Sequence, residues 1–252
     1  MLVASFIALT PRRALRADAQ TLGALARYII RASFWAVLLV GLADMLISFM
    51  RVEDLLHYFV DEDTIKSLGR PVERGVNVHY PLMGVALIIA AFTRSLGFTW
   101  LALLVVFAEF QIVIFRFIFS YEQTLMGDLV RFWYAALFLF SSAYTLREEG
   151  HVRVDVLYSS FSEKKKAWTN MVGSAVLGVP LTLIVIFLGL NGKASIINGP
   201  VVAFEVTQQG SNGLYLLYLM AVYLAVFAVT MLIQFTSYFM ESSHKILKGV
   251  KN

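Results

Sequence analysis

Apolar residues come in long runs divided by short charged stretches, without the strict alternation of a half-buried strand. The first run, Tyr28 to Met50, is long enough to cross a bilayer at about 20 residues per span. The second, Val76 to Phe119, is interrupted at Thr93-Arg94-Ser95 and carries Glu109, Gln111 and Arg116. A single helix of roughly 40 residues would far exceed a bilayer. The stretch is therefore read as a hairpin: Val76 to Thr93, a turn at Arg94 with Gly97 just beyond, and Leu96 to Phe119 in return. Gly127 to Leu146, Ser162 to Leu190 and Leu214 to Phe239 follow. The expected fold is all-α, a polytopic helical membrane protein of six spans, with Pro81 near a helix start and Pro180 kinking the fifth span.

Composition agrees: 252 residues, 59% hydrophobic and 15% charged, with a mean hydropathy of +0.72, exclude a soluble domain. The net charge of +4 carries no nucleic-acid claim, because the bases cluster at span ends, where they face an inner leaflet. Short loops rich in Lys and Arg stay cytoplasmic. Arg12, Arg13, Arg16 and Arg27 before the first run, the loop from Leu146 to Trp168, and the tail with Lys245, Lys248 and Lys251 all follow that rule under the hairpin reading. Both termini are then cytoplasmic. Arg51 to Gly75, rich in acids, lies outside, with Leu55, Leu56, Phe59 and Val60 forming an amphipathic turn or two. In the basic loop Val152, Val154 and Val156 alternate with charges, which fits an interfacial segment. Ser162 reads as an N-cap with Glu163 beside it, Lys164 to Lys166 as the anchor of a span, and Trp168 as a headgroup-level residue. The bases of the first residues follow the apolar run instead of preceding it, unlike a cleaved signal peptide.

The polar residues give catalysis no support. Cysteine is absent, and His57, His79, His151 and His244 are scattered over loops and ends, without the i, i+4 spacing of a helical metal site. Haem, a nucleophile elbow and a phosphate-binding glycine loop find no matching pattern, and no cofactor is expected. Two charges stand inside spans, Asp44 and Glu109, and each costs about 2.5 to 3.5 kcal/mol at a helix centre. Glu109 and Arg116 are seven residues apart, two turns along one helix face, and point into the bundle or toward a partner. A satisfied interhelical bond or charge pair is preferred to a coupling-ion site, which wants convergent oxygens and a broken helix. Asp128 and Arg131 are read as a local cap and a headgroup anchor, or alternatively as an assembly contact. Trp35, Trp100, Trp133 and Trp168 are assigned to the interfacial belt or the lipid face.

The run Arg147-Glu148-Glu149-Gly150-His151-Val152-Arg153-Val154-Asp155 resembles the Arg-Glu-Gly-Gly-His-Val-Arg-Val-Asp signature of the small membrane subunit of tripartite ATP-independent periplasmic (TRAP) transporters. Arg116-Phe117-Ile118-Phe119 is similar to that family's Arg-Tyr-Val-Phe, and Asp128 with Arg131 to its Glu-x-x-Arg. The resemblance runs from about Leu96 to Phe239, with departures at Glu149, where Gly is usual, and Glu163, where Pro often stands. It implies a division into 1–95, an extra helix pair with a cytoplasmic segment and outer loop, and 96–252, a family-like four-helix unit. It also implies an auxiliary inner-membrane subunit, without enzymatic activity, that braces a large membrane transport subunit. A periplasmic solute-binding protein would be the third component, the driving ion sodium, the substrate an organic acid, and membrane lipids the surroundings. The competing readings are a self-sufficient carrier or channel, which would show paired broken helices, and a membrane enzyme, which would show convergent His, Ser or acid residues inside spans.

Overall fold

The computed structural model describes residues 15–95, 97–121, 124–147, 158–206 and 212–247. Among them there is no strand, and six helices are long and apolar enough to cross a membrane. They are α1 (Leu15–Val52), α2 (Pro71–Phe92), α3 (Phe98–Ile118), α4 (Thr124–Arg147), α5 (Glu163–Leu190) and α6 (Leu217–Leu247). The expected hairpin is present: α2 and α3 are separate helices. Helix α1 begins well before its apolar run because Ala17, Ala19, Ala24 and Ala26 are strong helix formers, and Asp18 sits favourably in the first turn.

The contacts at helix ends establish an up-and-down order. Arg74 and His79, early in α2, lie against Asp44 near the end of α1. At the far end of α2, Trp35 Nε1 donates to Thr93 Oγ1 at 3.1 Å. The chain then reverses at Gly97, whose φ of 76° is left-handed and favours glycine, and Phe98 meets Phe34 edge to face. Helix α3 returns, so that the Tyr121 hydroxyl donates to Glu53 just beyond α1. The other end of the molecule gathers Ala19, Leu146 and Ser237: the Ser237 hydroxyl donates to the Ala19 carbonyl at 2.9 Å and Tyr238 to that of Leu146 at 3.3 Å. The start of α1, the end of α4 and the last turns of α6 thus share one end, and Asn170 near the start of α5 borders the same region. The acidic stretch from Glu53 to Glu73 occupies the other.

Three helices are central and three peripheral. α1, α4 and α6 pack on one another, while α2 lies on α1, α3 on α4, and α5 on α6. An aromatic cluster joins the central three: Phe140 meets Phe34 at 5.6 Å and Tyr223 at 4.9 Å between ring centroids, and Phe132 meets Tyr223 at 5.2 Å. Trp133, expected at the interface or in lipid, is instead buried. Gly41 makes room for it, since a Cβ there would stand 2.6 Å from the indole nitrogen.

Both prolines inside peripheral helices are accommodated in the same way. Pro81, expected near a helix start, lies well inside α2, because that helix begins at Pro71 and not at Val76. A proline cannot donate to the carbonyl four residues back. The backbone widens just before it, with a π-type turn over Gly75–His79 in which Tyr80 N–H reaches the Gly75 carbonyl. Ahead of Pro180, Ser174–Gly178 does likewise, with Val179 N–H bonded to Ser174. Outside the spans, Leu56–Tyr58 forms a 3-10 turn and Glu62–Leu68 a short helix capped by Asp61. The Thr64 hydroxyl, and next its amide, bond Asp61 and hold its carboxyl below the usual range. Ser162 occupies the N-cap of α5, but its hydroxyl makes no capping bond there.

The π-type turn of α5 lets it approach α6 closely: a Cβ on Gly178 would lie 2.5 Å from the Phe235 ring. Small residues are what permit such approach between helices in lipid. Gly178→Val is expected to cost about 1–3 kcal/mol by overpacking, read as a lower thermal unfolding temperature in detergent. Gly84→Ala, with open space at its Cβ, should leave that temperature unchanged or slightly higher. Equal unfolding temperatures for Gly178→Val and the parent would contradict the close contact.

Candidate functional site

Asp44 is fully buried near the end of α1, and three donors from two other elements converge on it. Its Oδ1 accepts from Arg74 Nη1 at 3.0 Å and from His79 Nε2 at 3.1 Å, both on α2. Its Oδ2 accepts from the backbone N–H of Tyr215, just before α6, at 2.8 Å. A carboxylate offers only lone pairs here, so Nε2 of His79 carries a proton toward it. The other nitrogen, Nδ1, stands 2.8 Å from the Tyr218 hydroxyl, which donates to it when the ring is neutral.

Arg74 completes the cluster. Its Nη1 also donates to Ser48 Oγ at 2.9 Å, and its Nε to the Leu68 carbonyl at 2.7 Å. Tyr215 presents its ring to two guanidinium groups, with Arg74 at 4.2 Å and Arg51 at 4.6 Å from the centroid, and its hydroxyl donates to the Gly69 carbonyl at 3.1 Å. Asp128 joins from α4: its Oδ2 accepts the Leu214 N–H at 3.2 Å. Two carboxylates from different helices therefore hold two successive backbone amides. The charges compensate one another, and no metal-holding group of three or more His, Cys, Asp or Glu exists among the described residues. The arrangement is a clasp for α1, α2, α4 and the segment entering α6.

The sequence residues fall in contrasting places. Asp44 and Asp128 are in this clasp, and Asp128 lies inside α4 instead of capping it, because the helix already starts at Thr124. Arg131 is exposed, 3.9 Å from Asp128. Glu109 and Arg116 are both exposed on α3. Glu109 has no hydrogen-bond or ion-pair partner among the described residues, so the two form no pair. Seven residues separate them by about 10 Å along the axis, too far for easy contact. Of the signature, only the backbone of Arg147 is described, while Glu148, Gly150, His151, Val152, Arg153, Val154 and Asp155, together with Val156, lie outside the described residues. Arg74, His79, Ser48, Tyr215 and Tyr218 are new members of the site. His79, assigned from sequence to a loop or an end, is inside a span and fully buried. The one signal pointing to them was the need of Asp44 for partners.

Breaking one side of a buried pair leaves a charge uncompensated, at about 3–5 kcal/mol. Asp44→Leu is expected to be destabilised on that scale in thermal unfolding. Asp44→Leu combined with Arg74→Met should lose far less than the sum of the two single changes. Additive losses would mean that the pair is not energetically coupled.

Residues 101–242 match the family model described as tripartite ATP-independent periplasmic transporters, DctQ component. No curated protein and no solved structure gives a match to the chain.

Proposed function

From the premise that this chain belongs to the DctQ-component family of tripartite ATP-independent periplasmic transporters, we propose that it is the auxiliary small membrane subunit of a sodium-driven importer of organic acids. It braces the large transport subunit and holds no substrate itself. A multi-pass membrane component of a transporter is what the family and the six apolar helices establish. The bracing role is carried by one observation: Glu109, midway along α3, points away from the bundle with no partner among the described residues. A carboxylate facing lipid at that depth costs about 2.5 to 3.5 kcal/mol. A polar group of the large subunit removes that cost, so α3, which packs mainly on α4 and exposes Trp100, Val106, Phe110 and Phe117, is the docking helix. Arg116 lies on the same face and extends the contact. Against a self-sufficient carrier stands the core of the bundle: its cavity, among Val37, Phe132, Phe140 and Tyr223, is apolar and only about 60 Å³, too small for an organic acid, and the larger cavity is confined to one end, between α1, α5 and α6. The buried charges are engaged with one another. The periplasmic binding protein delivers the substrate to the assembled complex. The chain resides in the inner membrane, with both termini and the signature loop cytoplasmic, because every basic cluster then lies inside.

Glu109→Leu is expected to leave the unfolding temperature of the isolated chain unchanged or raised and to reduce co-purification with the large subunit. Unaltered co-purification would remove α3 as the docking helix. In proteoliposomes, sodium-driven uptake should require the large subunit and the binding protein and should fall strongly when this chain is omitted. Saturable uptake by this chain alone would favour the self-sufficient carrier. For orientation, Ser67→Cys should react with an impermeant thiol reagent in intact cells, whereas Ser95→Cys and Ser160→Cys should be protected. The reverse pattern would invert the topology.

A further inference from the structure

A cavity of about 690 Å³ opens at the basic end of the bundle, between the first turns of α1, the start of α5 and the last turns of α6. Its volume falls within the roughly 300–1,000 Å³ typical of small-molecule sites. Arg16, Gln20 and Arg27 line it from α1, and Gln234, Ser242 and Lys245 from α6. Asn170 of α5 closes one side. The one carboxylate among its lining residues, Glu241, is already engaged by Lys245 at 3.6 Å. The remaining charge on the walls is that of Arg16 and Arg27. Gln234 is 4% exposed and its amide has no hydrogen-bond partner among the described residues, although it borders the cavity. The amide is open only to the cavity, so its hydrogen bonds come from something that occupies it.

The depth of the cavity indicates what that something is. α1 and α6 run antiparallel here, held by the Ser237 to Ala19 bond. Arg16 to Arg27 and Gln234 to Lys245 each span about 16 Å along their helices. Arg27 and Gln234 therefore mark the deep end, at the border of the apolar run beginning at Tyr28, and Arg16 and Lys245 mark the mouth. This is the level of lipid headgroups, which the exposed Trp168 and the lysines at the start of α5 also mark. Basic pockets between spans on the cytoplasmic side suit anionic headgroups, and a guanidinium can bond two oxygens of one phosphodiester.

The geometry points to a binding site for one anionic phospholipid, its phosphodiester held by Arg27 and the Gln234 amide at the deep end and its headgroup extending toward Ser242 and Arg16 at the mouth. That the lipid comes from the inner leaflet rests on the orientation proposed above. The site itself does not depend on that orientation.

Native mass spectrometry of the full chain in detergent, titrated with phosphatidylglycerol, phosphatidylcholine or inorganic phosphate, tests the proposal. Phosphatidylglycerol should bind and survive added inorganic phosphate, and phosphatidylcholine should bind much more weakly. Arg16→Gln with Arg27→Gln should weaken phosphatidylglycerol binding by about tenfold or more. Gln234→Leu should also weaken it and carries the test if the arginine variant does not fold. Lys193→Gln, outside the cavity lining, should change nothing. Equal binding of the two lipids, unchanged binding in both cavity variants, or displacement of the lipid by inorganic phosphate would overturn the proposal, the last in favour of a free-phosphate site. Labelling of Ser243→Cys from outside intact cells would overturn only the inner-leaflet assignment and the orientation behind it. Binding in detergent would then persist, which keeps the two failures apart.

Discussion

A single carboxylate inside an apolar helix sets the conditions for the rest of the bundle. Asp44 must be compensated where no water is available, and the compensation comes from α2 and from the segment entering α6. Each donor is held in turn. Arg74 is tied to Ser48 and to the Leu68 carbonyl, His79 faces Tyr218, and Tyr215 is fastened by its ring and its hydroxyl. A network of this kind has directional requirements that hydrophobic contact lacks. It specifies which helix faces which, and at what height. In lipid this matters more than in water, because apolar surface gains little by leaving lipid for another apolar surface.

The irregular backbone serves the same end. The π-type turn over Gly75–His79 lies between Arg74 and Pro81 and contains His79 itself. Widening the helix there satisfies the proline and sets the register of the two residues that meet Asp44. The second such turn, over Ser174–Gly178, brings a glycine rather than a charged group to its neighbour, and α5 settles closely on α6. One backbone device thus supports a polar contact in one helix and close packing in another.

The rest of the bundle divides its polar groups in the same ordered way. The buried Asp44, Arg74 and His79 are bound to each other, the central three helices share an aromatic core, and the helix with the least cover carries an outward carboxylate. Helix α1, outside the residues that match the family, is at the centre of the packing and supplies Asp44. The region before the family-like unit is therefore integral to the bundle. At the other end, the basic cavity lies where α1 meets α6, so the same helix shapes both polar regions.

Much was written in the sequence. The lengths of apolar runs gave the number of spans, the break at Thr93 to Gly97 gave the hairpin, and the motif from Arg147 to Asp155 pointed to the family that the match over residues 101–242 establishes. Which face of each helix is inside was not legible. A bilayer is as apolar as a core, so the periodic contrast that marks the buried face of a soluble helix is largely erased. Trp133 and Trp100 look alike in sequence, yet one is buried in the core and the other exposed. Asp44 and Glu109 looked alike too. Tertiary structure separated them, because the partners of Asp44 lie 30, 35 and 171 residues away, distances at which no local pattern connects the residues. The sequence determined what must be in the membrane, since that depends on composition over a window. Only the folded chain decided what each buried charge meets, since that depends on where distant helices cross.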